Sequence, residues 1–255
     1  MPDCTQSVAF QMQNLIDYRF KKYTFRRKEF YMKIIAHIHT DFTSKFGIPR
    51  QSGLVDELEA TIIFEPKYRI PEALRGIEEY SHIWLLWQFS ECVDKEWSPT
   101  VRPPRLGGNK RMGVFATRSP FRPNPVGLSS VKLLGAEKTE KYGVVLRVAG
   151  ADLLDGTPIY DIKPYLPYVD SRPEASNGFA LDEKEGRLTV EIPHGIIDVI
   201  PENKRNALKA VLAQDPRPGY QNEPDRVYGI DFAGFNIRFI VDENILAVVS
   251  AEQIK

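Results

Sequence analysis

Residues 113–162 read GVFATRSPFRPNPVGLSSVKLLGAEKTEKYGVVLRVAGADLLDGTPIYDI. Four apolar stretches stand out in this run: 113–117, 127–134, 144–148 and 159–162. Each is short, and Gly, Pro or Asp-Gly turns separate them. Closely spaced strands with turn residues between them are the rhythm of a barrel or a sandwich. Working outward, KIIAHIH (33–39), 60–64 and the aromatic HIWLLWQF (82–89) add three more strands. Pro71 opens a short helix over 71–79, and Gly47, Pro49 and Gly53 punctuate a loop between the first two strands. Strands and helices do not alternate regularly, so a doubly wound parallel sheet is not supported.

After Tyr168 the texture changes. Residues 170–185 are polar and loop-like, with Pro173, Ser176, Asn177 and Gly178. Beyond them a strand at 188–192 and a helix over 201–214, with Leu208, Val211 and Leu212 at helical spacing, precede strands at 227–232, 235–241 and 245–250. The expected architecture is mainly β: a barrel-type domain over 32–170 and a smaller α+β domain over 171–255. Residues 1–31 mix basic and aromatic side chains, and Met32 directly precedes the first strand pattern. They read as an upstream extension, disordered or non-native; a basic arm touching nucleic acid is the other reading.

The chain has 255 residues, with 34 Lys plus Arg balanced by 34 Asp plus Glu, and 42% hydrophobic residues. That suits one large or two small domains with a real core. Two cysteines, Cys4 and Cys92, are too few for a disulfide framework, so a reducing cytoplasm is the expected setting. No apolar run is long enough to span a bilayer. No Cys/His metal cluster, P-loop, GxGxxG after a strand or GxSxG elbow is present.

The charge balance hides a local excess. From Ser98 to Ala136 the chain carries Arg102, Arg105, Lys110, Arg111, Arg118, Arg122 and Lys132, with no Asp or Glu. Interleaved Gly and Pro make this a constrained cationic loop system, suited to phosphate or nucleic acid. Three other clusters carry chemistry. Pro49-Arg50-Gln51 offers a cation and an amide from a proline-fixed loop, or is an ordinary solvated loop. Ser81-His82 stands at the mouth of a buried strand, where the imidazole orients a ligand, accepts a proton or is a hydrogen-bonded core residue. Asp152-Leu-Leu-Asp-Gly-Thr-Pro158 carries two carboxylates around a tight turn; they suit ribose hydroxyls or a ligand amine, or, for Asp155, the turn itself.

The run from Arg102 to Ser130, taken with Phe46-Gly-Ile-Pro-Arg-Gln51, Tyr80-Ser-His-Ile-Trp84, Asp152 to Pro158 and Asp161-Ile-Lys-Pro-Tyr165, resembles the signature of the YaeB/TsaA-like, or TrmO, family. Gln214-Asp-Pro-Arg-Pro-Gly-Tyr220 is similar to the tail motif of its longer bacterial members. The resemblance covers residue 32 to the C-terminus. It implies a β-barrel-type methyltransferase, homodimeric, using S-adenosylmethionine and no metal. The implied reaction places a methyl group on N6 of threonylcarbamoyladenosine beside the anticodon of tRNA. The rival reading is a non-catalytic nucleotide- or RNA-binding module with the same pocket.

By position, the resemblance puts cofactor contacts on Pro49, Arg50, Gln51, Ser81, His82, Arg118, Leu128, Asp152, Leu153, Leu154 and Asp155. The acceptor nitrogen is conjugated to a purine and a carbonyl, so a group must take its proton. Asn124 on its rigid loop is the first candidate, with His82 and Asp161 as alternatives. Arg111, Arg122 and Lys163 are candidates to read the substrate's carboxylate. Arg105, Arg217 and Tyr220 are further candidates for tRNA contact.

Overall fold

A computed structural model describes residues 31–103, 109–179, 187–217, 223 and 225–254. The expectation for residues 1–30 lies outside the described residues, as do Arg105 and Tyr220. The chain divides into residues 1–33 and a second unit, residues 34–255, which carries everything below.

Alternation of apolar and polar side chains generates the barrel. β1 (Ala36–His39), β2 (Glu59–Phe64), β3 (His82–Gln88), β6 (Val126–Thr139), β7 (Gly143–Ala149) and β8 (Thr157–Pro164) hydrogen-bond in the cyclic order β1-β2-β7-β6-β3-β8. Six antiparallel strands thereby close on themselves and leave no free edge. In β3, Ile83, Leu85 and Trp87 point inward; in β6, Val131 and Leu133 do the same. β6 is long because it serves two partners: its first half, to Lys132, pairs with β3, and its second half, from Lys132 on, pairs with β7 across a bulge between Leu133 and Gly135.

A second core lies outside the barrel. β10 (Tyr228–Phe232), β11 (Phe235–Asp242), β12 (Ile245–Gln253) and β9 (Thr189–Glu191) form a four-stranded sheet, with β9 parallel to β12. The helix Glu202–Ala213 buries Ala207, Leu208, Val211 and Leu212 against it. Phe42, Val55 and Leu58, from the connection between β1 and β2, are buried in this same core, with Phe46, Ile48 and Leu54 packed around them. The second core therefore draws on residues from both sides of position 170.

Two local expectations change. Residues 71–79 are two 3-10 turns, Pro71–Leu74 and Ile77–Glu79, not one helix. Gly76 between them is left-handed (φ 84°), which an α-helix interior does not accommodate. Residues 113–117 hold only the end of a two-residue strand, β5 (Met112–Gly113), paired with β4 (Thr100–Val101), and then a 3-10 turn, Val114–Ala116. Arg122 explains the turn: its Nη1 donates to the carbonyls of Val114 (3.1 Å) and Thr117 (2.7 Å). Among the described residues no helix is long and apolar enough to cross a membrane.

Candidate active site

A cavity of about 750 Å³ opens at one end of the barrel. The register of β3 against β6 builds one wall. Trp84 faces Ser130 and Leu86 faces Leu128, so His82, Trp84, Leu128 and Ser130 share the outer face and line the cavity. Trp87 faces Gly127 and closes the barrel mouth. The indole lies so close to the Gly127 backbone that a Cβ there would fall 2.3 Å from Trp87 Cε2. Phe89 packs on Trp87 at 4.3 Å between centroids.

Beneath this aromatic floor runs a buried polar chain. Trp87 Nε1–H donates to Ser129 Oγ at 3.0 Å, and the Ser129 hydroxyl donates to Asp152 Oδ1 at 2.6 Å. An indole can only donate, so Ser129 Oγ accepts from Trp87 and has its own hydroxyl hydrogen to give to Asp152 Oδ1. Burial pushes the Asp152 carboxyl above its usual range. The Ser129 hydroxyl, the backbone N–H groups of Asp152 and Ser52, and the positive charge of Arg118 pull it back toward the ionised form. Ser129 is only 2% exposed; with Thr157 it is one of two buried hydroxyls among the described residues.

The opposite wall comes from two loops. Pro49, Arg50, Gln51 and Ser52 meet Thr117 and Arg118 across the cavity. Arg118 Nη1 donates to Gln51 Oε1, and Gln51 Nε2 donates to the Arg50 carbonyl. Ser81 does not line the cavity, but its Oγ lies 3.0 Å from His82 Nδ1 and holds the imidazole. Tyr165 completes the rim 5.4 Å from Trp84, whose Nε1 donates to Asp170 Oδ2 at 3.0 Å. The Leu166 N–H, and after it the Trp84 bond, hold the Asp170 carboxyl below its usual range.

The structure thus brings Pro49, Arg50, Gln51, His82, Arg118, Leu128 and Asp152 together around one cavity. Other expected site residues lie elsewhere or are committed to other partners. Asp155 turns away from the cavity; it accepts from Thr40 N–H at 3.0 Å and pairs with His39 at 3.1 Å. Leu153 is buried in the barrel core, and the Leu154 carbonyl takes the Thr157 hydroxyl. Asn124 is exposed, its carbonyl accepting Val126 N–H, and it does not line the cavity. Asp161 pairs with Lys163 at 2.8 Å, which raises the lysine's pKa, and neither reaches the cavity. Arg122 lines it, but its guanidinium is committed to the 114–117 turn and lies over Phe115. Arg217 is held by both oxygens of Asp215, at 2.8 and 2.9 Å. Arg111 stands on a neighbouring cavity. Sequence reasoning missed Trp87, Gly127 and Ser129; the available signal was a serine at an inward position of an apolar strand.

The geometry matches known proteins. A family model described as the tRNA-methyltransferase O N-terminal domain matches residues 37–171, and one described as the TrmO C-terminal domain matches 198–254. The chain belongs to the TrmO family. A relative from Escherichia coli K12, named tRNA (adenine(37)-N6)-methyltransferase, is 40% identical over 88% of this chain and 98% of its own length. A relative of the same name from Eikenella corrodens is 46% identical over 66% of this chain and 95% of its own. A crystal structure of TrmO superposes with a TM-score of 0.72 at 34% identity, covering 88% of this chain and 99% of that one. In this TrmO-family chain both matched segments meet in the second core, since Phe42, Val55 and Leu58 lie within the first and Phe232 and Phe239 within the second.

Proposed function

We infer that this chain methylates N6 of adenine 37 of tRNA, with S-adenosylmethionine as methyl donor. The observation that carries the reading is the single cavity joining Gln51–Arg118 to the buried Asp152 under Trp87. Its donor set suits the cofactor. Arg118 and Arg50 offer guanidinium to a carboxylate, Asp152 offers an anion to a cation or hydroxyls, and Trp84, Trp87 and Phe89 offer aromatic surface. When bound, the cofactor supplies a methyl group on a positively charged sulfur, which leaves as a neutral thioether.

The remaining work falls to the protein. Asp152 balances positive charge at the barrel mouth, and the Ser129 hydroxyl keeps it an acceptor despite burial. The aromatic walls exclude water and strengthen that interaction. His82 takes the N6 proton of the acceptor. In the tautomer with Nδ1–H donating to Ser81 Oγ, Nε2 keeps a free lone pair. Of the sequence-derived candidates for this proton, His82 lines the cavity while Asn124 and Asp161 do not.

Family likeness supports the finer points of the reading. The accepted base is N6-threonylcarbamoyladenosine, and the protein acts as a cytoplasmic homodimer. It comprises a barrel-type methyltransferase domain (32–170), a C-terminal domain (171–255) and an extension (1–31). The test is incubation with labelled S-adenosylmethionine and tRNA with or without the threonylcarbamoyl group, read by nucleoside mass spectrometry. Transfer of label to adenine N6 is expected. Cofactor binding without transfer would favour the binding-module alternative. His82→Gln should lower kcat at least tenfold, a larger loss than any in cofactor affinity.

A further inference from the structure

A second cavity of about 690 Å³ lies beside the first, and Thr117 and Arg118 belong to the walls of both. The Ser119–Phe121 turn and the end of the β4–β5 ribbon form its sides. In that ribbon Val101 pairs with Met112, so the antiparallel register carries Arg102 and Arg111 to facing positions. Arg111 Nη1 donates to Thr100 Oγ1 at 3.2 Å. Among the described residues neither arginine has a carboxylate partner, and no Asp or Glu lines the cavity. Like charges at facing positions of a ribbon repel unless an anion comes between them. Two aromatic rings line the same cavity, and Lys95 Nζ lies 6.0 Å from the centroid of one of them, Phe121. Phe121 is 40% exposed, and Phe179 arrives from the polar stretch after the barrel. Guanidinium groups, hydroxyls and exposed rings together suit a planar base carrying an anionic group.

We propose that this second cavity receives the acceptor nucleotide, with its base against Phe121 and Phe179 and an oxyanion held by Arg102 and Arg111. The proposal rests on the methyltransferase reading above and extends it: the shared Thr117–Arg118 wall is where acceptor and donor meet. The oxyanion is a backbone phosphate or a carboxylate on the base substituent, which present the same chemistry to paired guanidinium groups.

The test uses the full-length protein and an anticodon stem-loop RNA, with and without N6-threonylcarbamoyl on adenine 37. Arg102→Ala, Arg111→Ala and Phe121→Leu are compared with wild type for RNA affinity, kcat/KM and cofactor affinity. All three side chains are exposed or half-exposed, so the fold is kept, and Arg102→Lys serves as a charge-conserving control. Each arginine variant should weaken RNA binding at least tenfold while cofactor affinity stays within twofold. A loss confined to the modified RNA assigns the carboxylate; an equal loss on both assigns the phosphate. RNA affinity and kcat/KM within twofold of wild type, or a loss in cofactor affinity instead, overturns the proposal. Failure of the wild-type protein to bind S-adenosylmethionine would overturn the methyltransferase reading rather than this one.

Discussion

Phe42 and Phe232 meet edge to face, with ring centroids 5.6 Å apart and planes at 64°. One follows the first barrel strand, and the other ends β10 of the C-terminal sheet. Around them the Asp41 carbonyl accepts Ala233 N–H at 2.9 Å, and the Asp41 carboxylate holds Lys204 Nζ at 2.6 Å. The C-terminal sheet therefore anchors the connection that presents Pro49, Arg50, Gln51 and Ser52 to the cavity.

Gly47 tests that anchoring. Its φ is 94°, and a Cβ there would lie 2.8 Å from Ile230 Cγ2. Gly47→Ala should lower cofactor affinity about tenfold or more, with a loss of stability of about 1–3 kcal/mol. Combining it with Ile230→Ala removes the clashing carbon and should recover part of the affinity. Calorimetric titration of S-adenosylmethionine checks both, and unchanged affinity in the single variant would refute the anchoring role.

Ser129→Ala breaks the buried chain. It leaves Trp87 Nε1–H and Asp152 Oδ1 without their partner. Each orphaned buried group costs about 1–3 kcal/mol, so urea unfolding should show a loss in that range or above. Cofactor affinity should fall as well, because Asp152 loses the donor that fixes its orientation. A stability loss with full cofactor affinity would restrict Ser129 to a structural role.

Gly127→Ala acts on the same floor from the other side. The added methyl collides with the Trp87 ring, whose nearest atoms would lie 2.3 to 2.7 Å away. These are ring atoms packed at the barrel mouth, not the end of a flexible chain. A destabilisation of about 1–3 kcal/mol is expected, with a changed near-ultraviolet circular dichroism signal from the displaced indole. A stability equal to wild type would show that the indole moves freely.

Asp152 gives stability a pH dependence of defined sign. Burial raises its folded pKa above the ordinary 3.8. The folded state then binds the proton more readily than the unfolded chain does. Stability contributed by Asp152 is therefore highest below 3.8 and falls as pH rises from there through the raised value. Wild type measured against Asp152→Asn by urea unfolding should lose ground across that window. A difference that stays constant with pH would remove the burial argument.

Much of this was legible in the chain alone. Short apolar runs between turn residues mark β3, β7 and the C-terminal strands close to their observed bounds, since a strand with a buried face must carry apolar side chains between its turns. Pro201 and Leu208, Val211 and Leu212 mark the long helix for the same kind of local reason. The acid-free cationic run and the Pro49–Gln51 and Asp152 motifs supply residues to the walls of the two cavities. The 71–79 helix was misread because apolar spacing there resembles a helical turn while Gly76 forbids the continuation.

Membership of the cavity was decided only in three dimensions. Asp152 and Asp155 are three positions apart in one turn, yet one faces the barrel mouth and the other pairs with His39. The pairing register of β3 with β6 selected Trp84, Ser130 and Leu128 as wall, and Trp87 with Gly127 as floor. Local propensity fixes which segments are strands and turns, because those choices depend on neighbours in sequence. Which side chains converge depends on closing the barrel and on burying Phe42 against Phe232. Those free energies are gained only between residues far apart along the chain.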